Sequence, residues 1–259
     1  MNRFTNDTAF SAGSPSRMKI RGILFDKDGT LLDYHATWVP TNRAAARIVA
    51  KGDAALAFEL LRIGGQDDRA GTVAPGSLLA AGTTEEVAAR WTRYLPPPGF
   101  ANLPRLLDDI FQREGAKNTT PVPGLADTLV RLKARGLTLG VATSDSEAGA
   151  RSTIAPFQML DHFDFVAGFD SGFGTKPEPG MVLAFCRAIG LSPGEVLVVG
   201  DNHHDLEMAR RAGAGLAIGV LTGTSRRTDL TGLADHVLDS IVGIEDLLFC
   251  SVSVERPRR

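Results

Sequence analysis

The chain contains four short segments whose side chains are typical of metal and phosphate chemistry. Two are acidic, one carries adjacent hydroxyl groups, and one carries a lysine between turn-forming residues. In chain order they are DKDGT at 26–30, TSD at 143–145, GTKP at 174–177 and GDNHHD at 200–205. Carboxylate oxygens are preferred ligands of Mg²⁺, while lysine and hydroxyl groups donate hydrogen bonds to phosphate oxygens. The set predicts phosphate chemistry at a magnesium site, provided that the fold brings the segments together.

Each segment also has a simpler interpretation. An Asp-x-Asp-Gly run often only ends a strand in a turn, and Thr143 taken alone fits a helix start. Lys176 taken alone fits a solvated loop, and the acidic residues of the last segment fit helix-start carboxylates. A calcium-binding hand is excluded, because position six of such a loop, counted from Asp26, is Leu31 in place of glycine. Agreement among all four segments favours the functional interpretation.

The pattern of strands and helices places the four segments at one edge of a sheet. Apolar runs predict strands at 19–25, 137–142, 164–167, 196–199 and 216–220, and amphipathic runs predict helices at 124–135, 146–157, 179–189 and 205–212. This alternation predicts right-handed crossovers and a doubly wound, mainly parallel α/β sheet. Ligands of such sheets bind beyond the carboxyl ends of the strands, where all four segments lie.

A different pattern separates the first strand from the rest of the predicted sheet. It predicts helices over 36–50, 53–62, 84–95 and 103–113, separated by loops rich in glycine and proline, and no strand. We therefore expect an all-helical cap domain at 34–119, inserted into an α/β core domain formed by 18–33 and 120–259. Residues 1–17 are polar and predict a disordered tail.

The acidic residues support nucleophilic displacement at phosphorus. We expect Asp26 to attack a phosphate ester and become an aspartyl-phosphate, with Mg²⁺ relieving the repulsion between the carboxylate and the phosphate. The metal ligands are expected to be Asp26, Asp201 and the backbone carbonyl of Asp28. Since Asp28 lies two residues beyond the nucleophile, its carboxyl group is expected to protonate the leaving alkoxide and later to activate water.

The remaining polar groups are expected to hold the phosphate. The ammonium group of Lys176, the hydroxyl of Thr143 and backbone N–H groups near Gly29 and Ser144 would stabilise the charge that spreads over the phosphate oxygens in the transition state.

The composition limits the classes of partner. Hydrophobic residues form 43% and charged residues 22% of the 259-residue chain, which fits a globular protein, and the net charge of −2 favours neither nucleic acid nor an anionic membrane. No stretch approaches the roughly 18 apolar residues of a membrane-spanning helix. The two cysteines lie outside any C-x-x-C pair and fit a reducing compartment. We expect a cytoplasmic monomer or homodimer that acts on a small phosphorylated metabolite.

These motifs together resemble the haloacid dehalogenase-like hydrolase superfamily. The segments FDKDGTLLD, LGVATSDS, GTKPEPG and VLVVGDNHHDLEMARRAGA occur in the order of its phosphatase signature, and the resemblance extends over nearly all of 19–248. It implies a Rossmann-like core and an Mg²⁺-dependent aspartyl-phosphate mechanism. It also implies that Asp205 assists at the metal. The helical insertion resembles the cap of the subgroup with phosphoglycolate phosphatases, whose substrate becomes a candidate. Lys27 departs from the aromatic or aliphatic residue of many phosphoglycolate phosphatases.

Four other functions share part of this set of motifs or of this fold. A sugar-phosphate mutase of the β-phosphoglucomutase type shares the core motifs and differs in the cap, so it is the main alternative. A phosphoacceptor receiver domain has no acidic pair after its lysine and no helical insertion. A dehalogenase of the same fold does not need a second aspartate such as Asp28, and a catalytically inactive binding protein does not need a complete motif set.

Overall fold

The computed structural model of the protein describes residues 20–249. The predicted tail at 1–17 and Cys250 lie outside these residues. In chain order the strands are β1 (Gly22–Phe25), β2 (Gln66–Asp67), β3 (Thr72–Val73), β4 (Thr138–Ala142), β5 (Phe165–Ala167), β6 (Val196–Gly200), β7 (Leu216–Val220) and β8 (His236–Leu238). The helices are α1 (Tyr34–Val49), α2 (Ala54–Gly64), α3 (Leu78–Ala81), α4 (Thr84–Thr92), α5 (Leu103–Asn118), α6 (Leu125–Ala134), α7 (Glu147–Ile154), α8 (Gly180–Ile189), α9 (His203–Ala212), α10 (Arg227–Leu230) and α11 (Ile244–Phe249).

Six of these strands form one parallel sheet in the order β5–β4–β1–β6–β7–β8. Along β1 the side chains alternate between the two faces: Ile23 and Phe25 join one apolar cluster and Leu24 joins the other, and all three are fully buried. Burial on both faces is why the first strand is an almost continuous apolar run in the sequence. The predicted doubly wound α/β sheet is confirmed.

The insertion between β1 and β4 is helical, with one exception. Helices α1 to α5 pack around their own apolar cluster, in which Trp91 and Leu107 are fully buried. The exception is an antiparallel hairpin of β2 and β3, two residues each, which begins just after Gly65 ends α2 in the left-handed conformation. The sequence predicted no strand here, because two residues are too few for an alternating pattern to register.

The remaining differences from the predicted elements are small. Helices α3, α10 and α11 and strand β8 were not predicted, and all four are short. Helix α5 continues to Asn118, five residues beyond its predicted end. Cys186 is buried with a free thiol. Among the helices of 20–249, none combines the length and the apolar character that a membrane crossing demands.

Candidate active site

The strand order brings the four polar segments together. Strand β1 lies between β4 and β6, and Phe25 pairs with Val141 on one side and with Val199 on the other. The residue after Phe25 is Asp26, whose backbone N–H donates to the carbonyl of Val199 at 2.8 Å. The loops after β4 and β6 therefore flank the DKDGT loop, as expected for neighbouring parallel strands.

Three buried carboxylates and one lysine form the centre of the site. Asp26, Asp201 and Asp205 each place a carboxylate oxygen within 4.8 Å of the others. The Lys176 ammonium group contacts Asp26 Oδ1 at 2.5 Å and Asp205 Oδ1 at 2.6 Å. The second oxygen of Asp26 is buried and has no hydrogen-bond partner among the described residues. This excess of negative charge fits a divalent cation, and an all-oxygen donor set fits Mg²⁺.

Burial dominates the electrostatics of these carboxylates. It raises the pKa of Asp26 to about 7, an effect that Lys176 opposes and that the charges of Asp205 and Asp28 increase. Burial, with the charge of Asp26, also raises the pKa of Asp201 well above its usual range. Burial acts against the charged form of Lys176, but the neighbouring carboxylates outweigh it and raise the lysine's pKa. The raised pKa values of Asp26 and Asp201 show that their charged forms are unfavourable without a cation, as expected at a metal site.

The carboxyl group of Asp28 is not part of this group of three carboxylates and contacts two donors. The indole N–H of Trp38 donates to Asp28 Oδ1 at 2.6 Å, and Lys27 Nζ lies 2.6 Å from Asp28 Oδ2. Lys27 is fully buried, also pairs with Asp145 Oδ2 at 3.3 Å, and lies 5.3 Å from the centre of the Trp38 ring. Trp38 belongs to α1 of the insertion, so this contact joins the insertion to the DKDGT loop.

The predicted phosphate-binding groups are partly assembled. Thr143 is buried at the end of β4, where its hydroxyl oxygen accepts from the N–H of Asp145 at 3.1 Å and keeps its own proton to donate. Thr143, Ser144 and Lys176 all line one cavity, which Asp26 lines as well. Gly29 does not line it, and the Gly29 N–H donates to the carbonyl of Leu32 at 2.7 Å. Its role as a phosphate donor stays a prediction.

The loop after β7 completes the support of Asp201. The N–H of Thr224 donates to Asp201 Oδ2 at 2.9 Å, and the Thr222 hydroxyl donates to the Gly29 carbonyl at 2.6 Å. Gly29 has a φ of +87°, and a Cβ there would lie 2.7 Å from Asp201 Cγ. A Cβ on Gly223 would lie 1.8 Å from Asp201 Oδ2. Both glycines are therefore required where two loops close over one carboxylate.

A cavity of about 90 Å³ lies between the sheet edge and the insertion. We call its charged side the core floor, which consists of Asp26, Asp28, 143–145, Lys176, Asp201, Asn202, His204 and Asp205. We call the opposite side the cap wall, which consists of Tyr34, Trp38, Asn42, 78–82, Thr84, Val87 and Phe111. The floor is rich in carboxylates and the wall is mostly apolar.

Comparison with known proteins identifies the family. Residues 20–213 match the family model described as haloacid dehalogenase-like hydrolase, which is most of the chain. The chain belongs to the haloacid dehalogenase-like hydrolase family. A probable phosphatase, IndB, of Dickeya dadantii is 32% identical over 222 residues, which cover 83% of this chain and 87% of that protein. A phosphoglycolate phosphatase of Shigella boydii is 29% identical over 208 residues, which cover 75% and 79%.

The fold agrees with that family. The crystal structure of a predicted phosphoglycolate phosphatase from Haemophilus somnus superposes with a TM-score of 0.68 at 22% identity, covering 88% of this chain and 97% of that one. This haloacid dehalogenase-like hydrolase is a phosphatase of the subgroup that resembles phosphoglycolate phosphatase. The mutase alternative is not favoured, because the matched relatives carry phosphatase names.

Sequence reasoning missed three parts of this hydrolase's site. It recognised β7 but not the loop after it, although Thr-Gly-Thr at 222–224 follows a strand of the same sheet edge. It treated Lys27 only as a departure from the family pattern, and it did not place Trp38 in the site. The position of Trp38 ten residues beyond Asp28 carried no signal, since only the packing of α1 brings the two together.

Proposed function

We propose that the protein is an Mg²⁺-dependent phosphatase that hydrolyses small phosphate monoesters through an aspartyl-phosphate on Asp26. The observation that carries the proposal is the environment of this side chain. One carboxylate oxygen of Asp26 is held by Lys176, and the other is buried beside Asp201 and Asp205 with no hydrogen-bond partner within 20–249. A carboxylate fixed in this way at a strand end is suited to be both a metal ligand and a nucleophile.

The residues that would hold Mg²⁺ are Asp26, Asp201 and the Asp28 backbone carbonyl, with Asp205 assisting from the start of α9. A bound Mg²⁺ supplies positive charge that offsets the repulsion between the carboxylates and the substrate phosphate. The Asp201 carboxylate is already oriented by the N–H of Thr224, and that of Asp205 by Lys176 and the N–H of Asn202. Ligands whose second oxygens are hydrogen-bonded are oriented before the metal arrives.

In the first step the Asp26 carboxylate attacks phosphorus, the bond between phosphorus and the ester oxygen breaks, and Asp28 gives its proton to the leaving alkoxide. In the second step Asp28 takes a proton from water, whose oxygen attacks the aspartyl-phosphate and releases inorganic phosphate. Lys27 and Trp38 hold the Asp28 carboxyl group in place. Lys176, Thr143 and Ser144, with the proposed N–H near Gly29, stabilise the charge on the phosphate oxygens by donating hydrogen bonds.

The proposed domain division follows from the same geometry. We propose a core domain of 18–33 and 120–259, whose described residues supply the core floor, and a cap domain of 34–119, which supplies the cap wall and sets substrate choice. The names of the relatives make phosphoglycolate the first substrate to test. The free, buried Cys186 thiol fits a reducing compartment such as the cytoplasm.

The proposal is tested with the full-length protein and an aryl phosphate, in Mg²⁺ and in excess EDTA. We expect hydrolysis only with Mg²⁺, and undiminished turnover in EDTA contradicts the metal requirement. Stereochemistry at phosphorus tests covalency, because two successive in-line displacements retain the configuration of phosphorus and a single direct attack by water inverts it. Net retention is expected with an ester whose phosphate is chiral in oxygen isotopes, whereas inversion contradicts the aspartyl-phosphate.

A further inference from the structure

The charges around the cavity constrain the part of the substrate that is not phosphate. Among the described residues that line the cavity, Lys176 is the only lysine or arginine, and it is already paired with Asp26 and Asp205. The same cavity is lined by five aspartates. With Lys27 beneath the floor, one bound Mg²⁺ and Asp28 protonated as the general acid, the other four carboxylates already balance the positive charges before a phosphate enters. No cation is left over to pair with a second acidic group on the substrate.

The cap wall offers an acidic group no better partner. Leu79, Val87 and Phe111 present hydrocarbon to the cavity. Two polar groups of the wall are already engaged: the Tyr34 hydroxyl donates to the Leu79 carbonyl, and the side-chain amide of Asn42 donates to Gln66. A carboxylate pressed against this surface would lose its water without gaining a hydrogen-bonded counter-charge, which is strongly unfavourable.

The amino-terminal end of α4 also faces the cavity, since Thr84 lines it. Such helix ends attract anions. Here, however, Thr83 and Glu86 form a reciprocal capping box, and Glu85 adds a second carboxylate to the first turn. These two negative charges offset the positive end of the helix dipole. The Thr84 hydroxyl has no partner among the described residues, so it remains available to a neutral polar group.

Within the described residues, no arginine of the insertion lines this cavity. Arg90 and Arg93 line a second, open cleft that shares only Leu78, Ala81, Gly82 and His204 with the cavity. Neither arginine lines the cavity itself. A two-carbon acid esterified at the phosphate above Asp26 therefore meets the apolar wall and Asp145, which carries like charge.

We infer that the preferred substrate carries a small, uncharged alcohol group, and that the enzyme discriminates against phosphoglycolate and other carboxylated phosphate esters. This inference rests on the proposed phosphatase function and specifies its substrate class. It departs from the substrate named for the relatives, because that substrate carries a carboxylate for which this cavity has no cation.

The decisive comparison is between two esters of similar size and similar alkoxide leaving group, 2-hydroxyethyl phosphate and 2-phosphoglycolate. We expect the full-length protein with Mg²⁺ to favour the uncharged ester by at least about tenfold in kcat/KM, because both esters share the phosphate contacts and differ in the desolvated carboxylate. Equal or better turnover of phosphoglycolate overturns the inference and leaves the phosphatase function standing. Preference for the longer acid 3-phosphoglycerate, through Arg90 or Arg93, overturns it as well. Hydrolysis of no ester at all removes both.

A substituted pair locates the cause in the cap wall. Thr84→Lys places an ammonium group at the cavity, and Thr84→Met is the matched control of similar length without charge. We expect the lysine variant to raise the ratio of phosphoglycolate to 2-hydroxyethyl phosphate turnover by about tenfold and the methionine variant to leave it near the wild-type ratio. The same ratio in both variants contradicts a charge-based preference. The comparison of the two esters uses the wild-type protein, so it still tests the inference if the Thr84 variants do not fold.

Discussion

The core floor and the cap wall face the same cavity and are built on opposite principles. In the floor, nearly every polar side chain has a fixed partner: Lys176 joins Asp26 to Asp205, and Thr224 holds Asp201. The wall is mostly apolar, and two of its polar side chains, Tyr34 and Asn42, are paired within the insertion. Fixed charges stabilise a defined transition state, whereas an apolar surface selects by shape and by the exclusion of charge. The difference supports our proposal that the core carries out the chemistry and the cap selects the substrate.

The substitution Asp26→Asn tests the floor most severely. A carboxamide is a poor nucleophile of similar shape, so we expect turnover to fall by at least about 10⁴-fold for alkyl and aryl phosphates alike. Phosphate release under saturating substrate measures the loss, and thermal unfolding with circular dichroism checks that the fold remains. A variant that keeps substantial turnover excludes Asp26 as the nucleophile and removes the contrast between the two surfaces.

The substitution Asp28→Asn should have a smaller effect that depends on the leaving group. An alkyl phosphate releases a basic alkoxide and needs the proton of Asp28, so its phosphoryl transfer should slow by about 10²–10⁴-fold. An aryl phosphate releases a stabilised phenolate and should transfer its phosphoryl group at a less affected rate. Rapid-quench kinetics should then show a burst of phenol followed by slow turnover. Equal losses for both esters in the burst phase contradict a general-acid role for Asp28.

The substitution Trp38→Phe tests the hydrogen bond from Trp38 of the wall to Asp28 of the floor. It removes the indole N–H that donates to Asp28 while keeping an aromatic ring against Phe111, so we expect about a tenfold loss with alkyl phosphates and a smaller loss with aryl phosphates. The matched control is Trp91→Phe. Trp91 is a fully buried tryptophan of the insertion whose N–H has no partner among the described residues. Similar losses in both variants indicate a packing effect and contradict the positioning of Asp28 by Trp38.

The buried carboxylates of the floor should also affect the stability of the folded protein. Burial raises the pKa of Asp26 from 3.8 to about 7, so the folded protein without metal binds a proton there that the unfolded chain releases near pH 4. The free energy of unfolding of the EDTA-treated protein should therefore fall as the pH rises from about 4 to about 7. The difference in free energy of unfolding between wild type and Asp26→Asn, measured with urea at several pH values, isolates this contribution. If this difference in free energy of unfolding does not change with pH, or changes in the opposite direction, the pKa of Asp26 is not raised by burial.

Much of this architecture follows from local patterns in the sequence. The runs around Ile23 and Val198 are buried on both sides of a parallel sheet, so they are apolar throughout and recognisable as strands. The acidic and hydroxyl residues come directly after such runs, and the carboxyl ends of parallel strands meet at one edge. For this reason the sequence alone predicted Asp26, Thr143, Lys176 and Asp201 as one site, and the structure brings them together.

What only the tertiary structure decided is the set of contacts made across elements that are distant in the chain. The Trp38 indole reaches Asp28 because α1 folds back over the loop that precedes it, and Thr222 and Gly223 meet Gly29 and Asp201 because β7 lies next to β6. The apolar character of the cap wall arises from separate helices that converge on one cavity. Sequence periodicity records which face of an element is buried, but it does not record which other element covers that face. The chemistry could thus be predicted from motifs, while the selectivity required the packed fold.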